Sequence, residues 1–545
     1  MNAATPTGVD APDPTLLDAV VIGAGFAGLY AVHNLRDKLG LRVRAYETGT
    51  DVGGTWFWNR YPGARCDIQS YHYSYSFSKA LQQEWRWSEH FAAQPEILTY
   101  LNHVADRFDL RKDIALGTRV ESARYDDVAG QWVIGTSAGE TVRATYLISG
   151  AGCLSAPHLP DFKGIKSFTG QIYMTSKWPD KDIDFSGLRV GIVGTGASGI
   201  QAIPVIAQQA HQLTVFQRTP NYAVPIRNRP LEEASDRDIK AQYDVIRGKS
   251  RNSFIGLPQD NTQPSAKAVD EGERQRVYEA AYAEGGLAMF HTFSDLLLDA
   301  DSNETAAEFV RTKIRERVND PEVAELLVPK GYPWGTKRPP LETNYYEAFN
   351  RPNVKLVDLR SAPIEEITAT GMRTGAVHHE LDVIIFATGF DAITGPLLRL
   401  NPQGKNGVTL AARWSDGPHT YLGLMVNGFP NFFTITGPQS PSVLYNMPLA
   451  VEDHVDWISA CIRYMRDHGQ RSIEPTAEAE ADWVKLNAAI ADQTLFNQTA
   501  SWYTGGNIPG KPRVFQLFIG GAAQYREICA QVVAEGYKGF VFSAA

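Results

Sequence analysis

Residues 16–47 read LLDAVVIGAGFAGLYAVHNLRDKLGLRVRAYE, and this stretch decides the fold. An apolar run of strand length enters GAGFAG, continues into LYAVHNLRDKLG with helical periodicity, and is followed by RVRAYE, which ends in Glu47. Strand, tight turn, helix and a second strand closed by an acid make a dinucleotide-binding unit in which each part has a physical task. Gly23 permits the turn, Gly25 lets a pyrophosphate approach the backbone, and Gly28 lets the helix lie on the strand. The helix N-terminus offers unpaired N–H groups and partial positive charge. Glu47 can accept hydrogen bonds from both ribose hydroxyls, which suits an unphosphorylated adenosine such as that of FAD.

A second copy lies at residues 188–219, where LRVGIVGTGASGIQAIPVIAQQA leads into LTVFQRT, with Gly194, Gly196 and Gly199 at the glycine positions. The position matching Glu47 is Arg218, and each follows its last glycine by 19 residues. A guanidinium there suits a 2′-phosphate, so NADPH is favoured over NADH. One such motif alone is a weak signal; two in the same strand-turn-helix-strand context imply an α/β protein with two Rossmann-like units. QWVIGTSA, TVRATYLISGAG and DVIIFATGFD read as further strands, the last able to return the chain to the flavin. Residues 225–332 read as a helical insertion. The resulting division gives the FAD unit residues 1–150 and 388–545, and the NADPH unit residues 151–224 and 333–387. Within the insertion, SNETAAEFVRTKIRERV predicts a helix capped by Ser302 or Asn303 with Val310, Ile314 and Val318 on one face. SRNSFIGLPQDNTQPSAK reads as a mobile loop, and SYHYSYSFS alternates at strand spacing, which predicts sheet packing.

At 545 residues the chain exceeds one hydrophobic core, so two or three domains are expected. A net charge of -9 offers no field suited to a phosphate backbone, which argues against nucleic acid. Four cysteines without a CxxC pair argue against a disulfide framework, a zinc site or a dithiol centre, and fit the cytoplasm. No HExxH or GxSxG occurs, no metal is implied, and no apolar stretch reaches membrane-spanning length. The N-terminus has no signal-peptide pattern, and residues 1 to about 15 read as a frayed tail.

GGTWFWNRYPGARCD at 53–67, FTGQIYMTSKWP at 168–179, GTKR at 335–338, ATGFD at 387–391 and SWYTGGNIPGKPRVF at 501–515 resemble the signatures of type I Baeyer-Villiger monooxygenases. The resemblance covers nearly the whole chain and is closest to the phenylacetone and steroid monooxygenase subgroup, whose longer substrate loop GPQSPSVLYNM also matches; cyclohexanone monooxygenases are more distant. It implies that NADPH reduces FAD, that oxygen adds to the flavin as a C4a-peroxide, and that this attacks a ketone to give an ester or lactone, with sulfide oxidation as a side activity. By the same resemblance Arg338 is the catalytic arginine and Asp67 the acid that positions it. Thr55, Trp56, Tyr73, Val120 and Met447 fall at FAD positions, and Thr195, Gly196, Ser198, Gly199, Arg218, Thr219, Lys337 and Trp502 at NADPH positions. Trp502 sits on a C-terminal loop that Gly505 and Gly506 would let move. Leu154, Ser442, Val443 and Leu444 would line the ketone pocket, and the enzyme would act as a monomer. The chain departs from the signature at Met174, which replaces a histidine and removes a hydrogen-bonding, titratable ring.

Each assignment has a plainer alternative. Without the family context Lys337 and Arg338 are a solvated basic pair, Asp67 a turn cap, Glu47 and Arg218 surface charges, and Trp502 a packing residue. Cys66 and Cys153 read as small core residues and Trp85 and Trp87 as core aromatics. Rival functions are a monooxygenase acting on nitrogen or sulfur, an uncoupled NADPH oxidase, and a flavin redox sensor.

Overall fold

The computed structural model describes residues 16–259 and 263–544, so the expected frayed tail lies outside the described residues. Its first sheet has seven strands. Six run in the order Ile114–Ala115, Val43–Tyr46, Leu16–Ile22, Thr141–Ser149, Gln131–Thr136 and Val120–Asp126, and Phe432–Thr434 pairs with Thr141–Ser149 in parallel. The late strand therefore brings the C-terminal third of the chain back to the first glycine turn. The second sheet is wholly parallel, in the order Val354–Asp358, Gln212–Gln217, Arg189–Val193, Val383–Phe386 and Gln171–Met174. Parallel strands are covered on both faces, which is why Val383–Phe386 is an unbroken apolar run and buried throughout. The two sheets confirm the α/β class with two Rossmann-like units.

In both units the glycines do what the spacing requires. Gly23 and Gly194 turn the chain at φ values of 96° and 108°, in the left-handed region. A Cβ on Gly28 would lie 1.8 Å from the Gly23 carbonyl oxygen, and one on Gly199 2.2 Å from that of Gly194, so only glycine lets each helix sit this close to its strand.

The helices Glu233–Ala241, Tyr243–Arg251, Glu271–Glu284, Ala300–Arg317 and Pro321–Leu327 are inserted between two short strands that pair with each other, Val224–Pro225 and Leu341–Glu342. Three local expectations need correcting. The fourth of these helices is capped by Asp299, whose carboxylate accepts from the Ser302 N–H; Ser302 and Asn303 lie inside the helix and are buried. Asp299 takes the cap because its extended backbone turns the carboxylate onto the Ser302 N–H, whereas Ser302 and Asn303 are already helical. Residues 70–78 form turns, not a strand. Arg247 donates to the carbonyls of His72 and Ser74, and Glu452 accepts from the N–H of Phe77, so side chains satisfy a backbone that a sheet ladder would otherwise pair. In the stretch read as a mobile loop, Ser250 and Arg251 end the helix Tyr243–Arg251 and Ser250 is fully buried. Residues 260–262 of that stretch lie outside the described residues.

Candidate functional site

A cavity of about 1680 Å³ opens between the two sheets and the insertion, and the segments that the sequence singled out converge on it. Thr55, Trp56, Asp67 and Tyr73 form one wall; Thr195, Gly196, Ser198, Arg218 and Thr219 come from the second glycine unit; Lys337, Arg338 and Trp502 close it. Leu154, Val443, Leu444 and Met447 supply an apolar lobe. Ser442 does not belong to this lining: it is fully buried, and its hydroxyl donates to the Thr436 carbonyl at 3.1 Å. The short helical turn Ser442–Leu444 rotates Val443 and Leu444 toward the cavity and the serine away from it.

Arg338 and Asp67 meet at 2.5 Å through the guanidinium Nε, although 271 residues separate them. A second guanidinium nitrogen, Nη1, donates to the Val443 carbonyl at 3.2 Å, tying the cation to the apolar lobe. Burial disfavours the arginine's charge, but Asp67 beside it more than offsets this and holds its pKa above the usual value. The side chains keep 26% and 32% of their surface accessible, so the pair faces the cavity and is not an internal brace. Trp56 donates its ring N–H to the Tyr73 hydroxyl, fixing two aromatic walls edge to face with ring centroids 5.8 Å apart.

Lys337 extends over the Tyr332 ring, 4.3 Å from its centroid. Burial and the neighbouring Arg218 push its pKa down to about 8. Two cations brought together without an acid between them form a site for an anion. The helix Ala197–Gln209 beside them starts at Gly196 with no capping side chain and no acid in its first turn, and a Cβ on Gly196 would meet no atom within 4 Å. Its first N–H groups thus face open space that a pyrophosphate could enter. At the first unit, the Glu47 oxygens accept from Ala24 N–H at 2.8 Å and Gly49 N–H at 2.7 Å. These bonds fix the carboxylate and leave acceptor sites for ribose hydroxyls. Gly25 and Gly54 face each other so closely that a Cβ on Gly54 would lie 2.8 Å from the Gly25 Cα. Val120 begins the strand that follows Thr118, whose N–H donates to the Glu47 carbonyl. The donor and acceptor set fits FAD at the first unit and NADPH at the second.

Trp502 opens a one-turn helix that ends at Gly505 with φ 70°, and a Cβ on Gly505 would lie 2.7 Å from the Gln516 amide. The glycine is therefore required by the conformation seen here, in addition to any motion. Cys66 and Cys153 are buried free thiols, as are Cys461 and Cys529. Met174 packs with Phe162 and Phe168 against the buried face of the second sheet. Among the described residues no group of His, Cys, Asp or Glu could hold a metal, and no helix is long and apolar enough to cross a membrane.

Two supporting roles escaped the sequence reading, which took Asn303 only as a possible helix cap and Tyr503 only as part of the segment 501–515. Asn303 donates to the Leu296 and Trp334 carbonyls and accepts from the Trp334 N–H at 2.7 Å, bracing the turn that presents Lys337 and Arg338. Tyr503 is buried beside Arg338, and burial raises its phenol pKa. Both roles depend on partners distant in the sequence, Trp334 for Asn303 and Arg338 for Tyr503.

Residues 18–230 match the family described as FMO-like, flavin-binding monooxygenase-like. A Baeyer-Villiger monooxygenase of Pseudooceanicola batsensis is 46% identical over 527 residues, 96% of each chain. The chain belongs to the Baeyer-Villiger monooxygenases. Among solved structures, an oxidized steroid monooxygenase bound to NADP is 51% identical with a TM-score of 0.93, covering 97% of this chain and 100% of the other. The structure titled OTEMO in complex with FAD and NADP is 43% identical with a TM-score of 0.94, covering 97% and 99%. As a Baeyer-Villiger monooxygenase the protein takes FAD as its flavin and NADPH as its reductant, as the two glycine units indicate.

Proposed function

We propose that this Baeyer-Villiger monooxygenase converts a ketone bearing a bulky or aryl substituent, with dioxygen, NADPH and a proton, into an ester, releasing water and NADP⁺. The observation that carries this reading is the Arg338–Asp67 pair facing the apolar lobe of Leu154, Val443 and Leu444. Bound FAD, reduced by NADPH, supplies the activated oxygen. Arg338 stabilises negative charge that develops on the ketone oxygen when its carbon becomes tetrahedral, because a permanent cation in a partly dehydrated site is worth far more than in water. Asp67 holds the guanidinium through Nε and the Val443 carbonyl takes a bond from Nη1, which leaves the Nη2 N–H groups to donate. Arg218, Thr219 and Lys337 hold the 2′-phosphate, Thr195, Gly196, Ser198 and Gly199 the pyrophosphate, and Trp502 closes over the nicotinamide side. Gly23, Gly25, Gly28, Glu47, Thr55, Trp56, Tyr73, Val120 and Met447 hold the flavin.

In this reading residues 1–150 and 388–545 form the FAD domain, 151–224 and 333–387 the NADPH domain, and 225–332 the helical domain. The proposed catalytic unit is the monomer. Four buried free thiols suit the cytoplasm. The test is product analysis with phenylacetone, progesterone and cyclohexanone, each with excess NADPH and air. Esters of the first two should form faster than caprolactone. Hydrogen peroxide alone with every ketone, alongside oxygenation of a thioether or amine, would replace the ketone reading with the heteroatom one.

A further inference from the structure

The segment that carries Asp67 is clamped from the NADPH side by Gln201, with Ser198 of the same helix also hydrogen-bonding Tyr61. Gln201 is the fifth residue of the helix Ala197–Gln209, one turn beyond the N–H groups that face the open end of the second glycine unit. Its amide oxygen accepts from the Tyr61 hydroxyl at 2.8 Å and from the Arg65 N–H at 3.4 Å, and its amide nitrogen donates to the Arg65 carbonyl at 3.0 Å. Both ends of the amide are thus spent on residues 61–65, and Asp67 follows two residues later. The loop lies hard against the helix here, since a Cβ on Gly63 would come within 2.4 Å of the Gln201 carbonyl oxygen. Tyr61 is buried, and burial pushes its phenol pKa up to about 12, so it remains a donor at neutral pH. The other side of the loop is fixed by backbone bonds, Cys66 N–H to the Ala92 carbonyl and Gln94 N–H to the Ala64 carbonyl, and by the Arg65 guanidinium, which pairs with the Glu89 carboxylate and donates to the Phe91 carbonyl.

We propose that Gln201 is a positioning residue that sets Asp67 against Arg338 and makes that setting depend on the helix that receives NADPH. The idea rests on the function proposed above. Movement of the helix N-terminus when the dinucleotide binds is passed through a rigid first turn to Gln201, and from its two-ended amide to the loop. Asp67 then shifts with the cofactor helix and not with the flavin sheet alone. The tie joins the occupied state of the reductant site to the place of the cation that acts on the ketone.

The experiment compares wild type, Gln201→Met and Tyr61→Phe with phenylacetone, measuring ester formed per NADPH consumed, KM for NADPH, and FAD content. Methionine keeps the length of the side chain and removes every hydrogen bond. Losing these three neutral bonds, one of them long at 3.4 Å, predicts a fall in ester per NADPH of about three- to tenfold for Gln201→Met, with KM for NADPH within about twofold of wild type. Tyr61→Phe should fall in the same direction by a smaller factor. A packing role alone would lower FAD content or stability without separating coupling from KM. Wild-type coupling in Gln201→Met, or a change in KM for NADPH alone, overturns the proposal. If Gln201→Met loses its flavin, Tyr61→Phe decides by the same two readouts. Wild-type enzyme that gives no ester refutes the function itself, whereas wild-type ester with unaltered variants refutes only the role of Gln201.

Discussion

The two glycine units share one backbone design and differ in how their charged ends are kept. Glu47 is 5% exposed and already holds two backbone N–H groups, so its carboxylate is fixed before any ligand arrives. Arg218 is exposed, and its neighbour Lys337 is a half-buried amine made easier to deprotonate by loss of solvent and by that same arginine. A pre-set acceptor within a tight slot suits a cofactor that stays through many turnovers. A strained pair of cations relieved by an arriving phosphate suits one that binds and leaves. The geometry thus suits a resident flavin at the first unit and an exchanging reductant at the second, and the Arg338–Asp67 pair lines the cavity that the second unit also lines.

The largest expected effect falls on that pair. Arg338→Ala should cut ester formation by about 10²- to 10³-fold, the cost of removing one donor from a developing oxyanion, while anaerobic flavin reduction by NADPH falls far less; equal losses in both rates would make Arg338 a reductant-site residue only. Next in size, Arg218→Ser should raise KM for NADPH by roughly 10- to 100-fold, as expected for a charge-assisted bond to phosphate, and leave KM for NADH nearly unchanged. Parallel changes for both cofactors would break the distinction between the sites.

The pH dependence is set by Lys337. Free protein loses the Lys337 proton near pH 8, and a bound phosphate favours the charged amine, so binding takes up a proton above that value. KM for NADPH should climb above pH 8 by up to about tenfold per unit, and Lys337→Met, with a higher KM throughout, should lose this rise. The smallest effect is expected at Met174. Its thioether packs among Phe162, Phe168 and the second sheet and offers no acid, base or strong acceptor. Met174→His should raise the ratio of ester to hydrogen peroxide by about twofold, the scale of one modest hydrogen bond, and an unchanged ratio would show that the missing histidine does not govern coupling.

What sequence reading reached was mostly local. Gly23, Gly28, Gly194 and Gly199 are legible because a turn and a close helix-strand approach demand glycine at fixed spacing. Arg338 and Asp67 have no such local logic, and only their resemblance to a family placed them together; the fold closes the gap by packing the insertion against the first unit. Residues 70–78 misled because alternation of aromatic and serine residues resembles a strand, whereas Arg247 and Glu452, far away in sequence, satisfy that backbone. Ser442 was misplaced because adjacent residues in a helical turn point in different directions. The roles of Gln201 and of Asn303, which reads in sequence only as a helix cap, are not legible because an amide's role is set by what lies opposite it in space.

The most direct test of the central claim is oxygen isotope transfer. Purified protein with FAD, NADPH and phenylacetone under ¹⁸O₂ should yield the ester with a single ¹⁸O atom, placed between the carbonyl carbon and the carbon that migrated. Consumption of NADPH with labelled hydrogen peroxide and no labelled ester would contradict it.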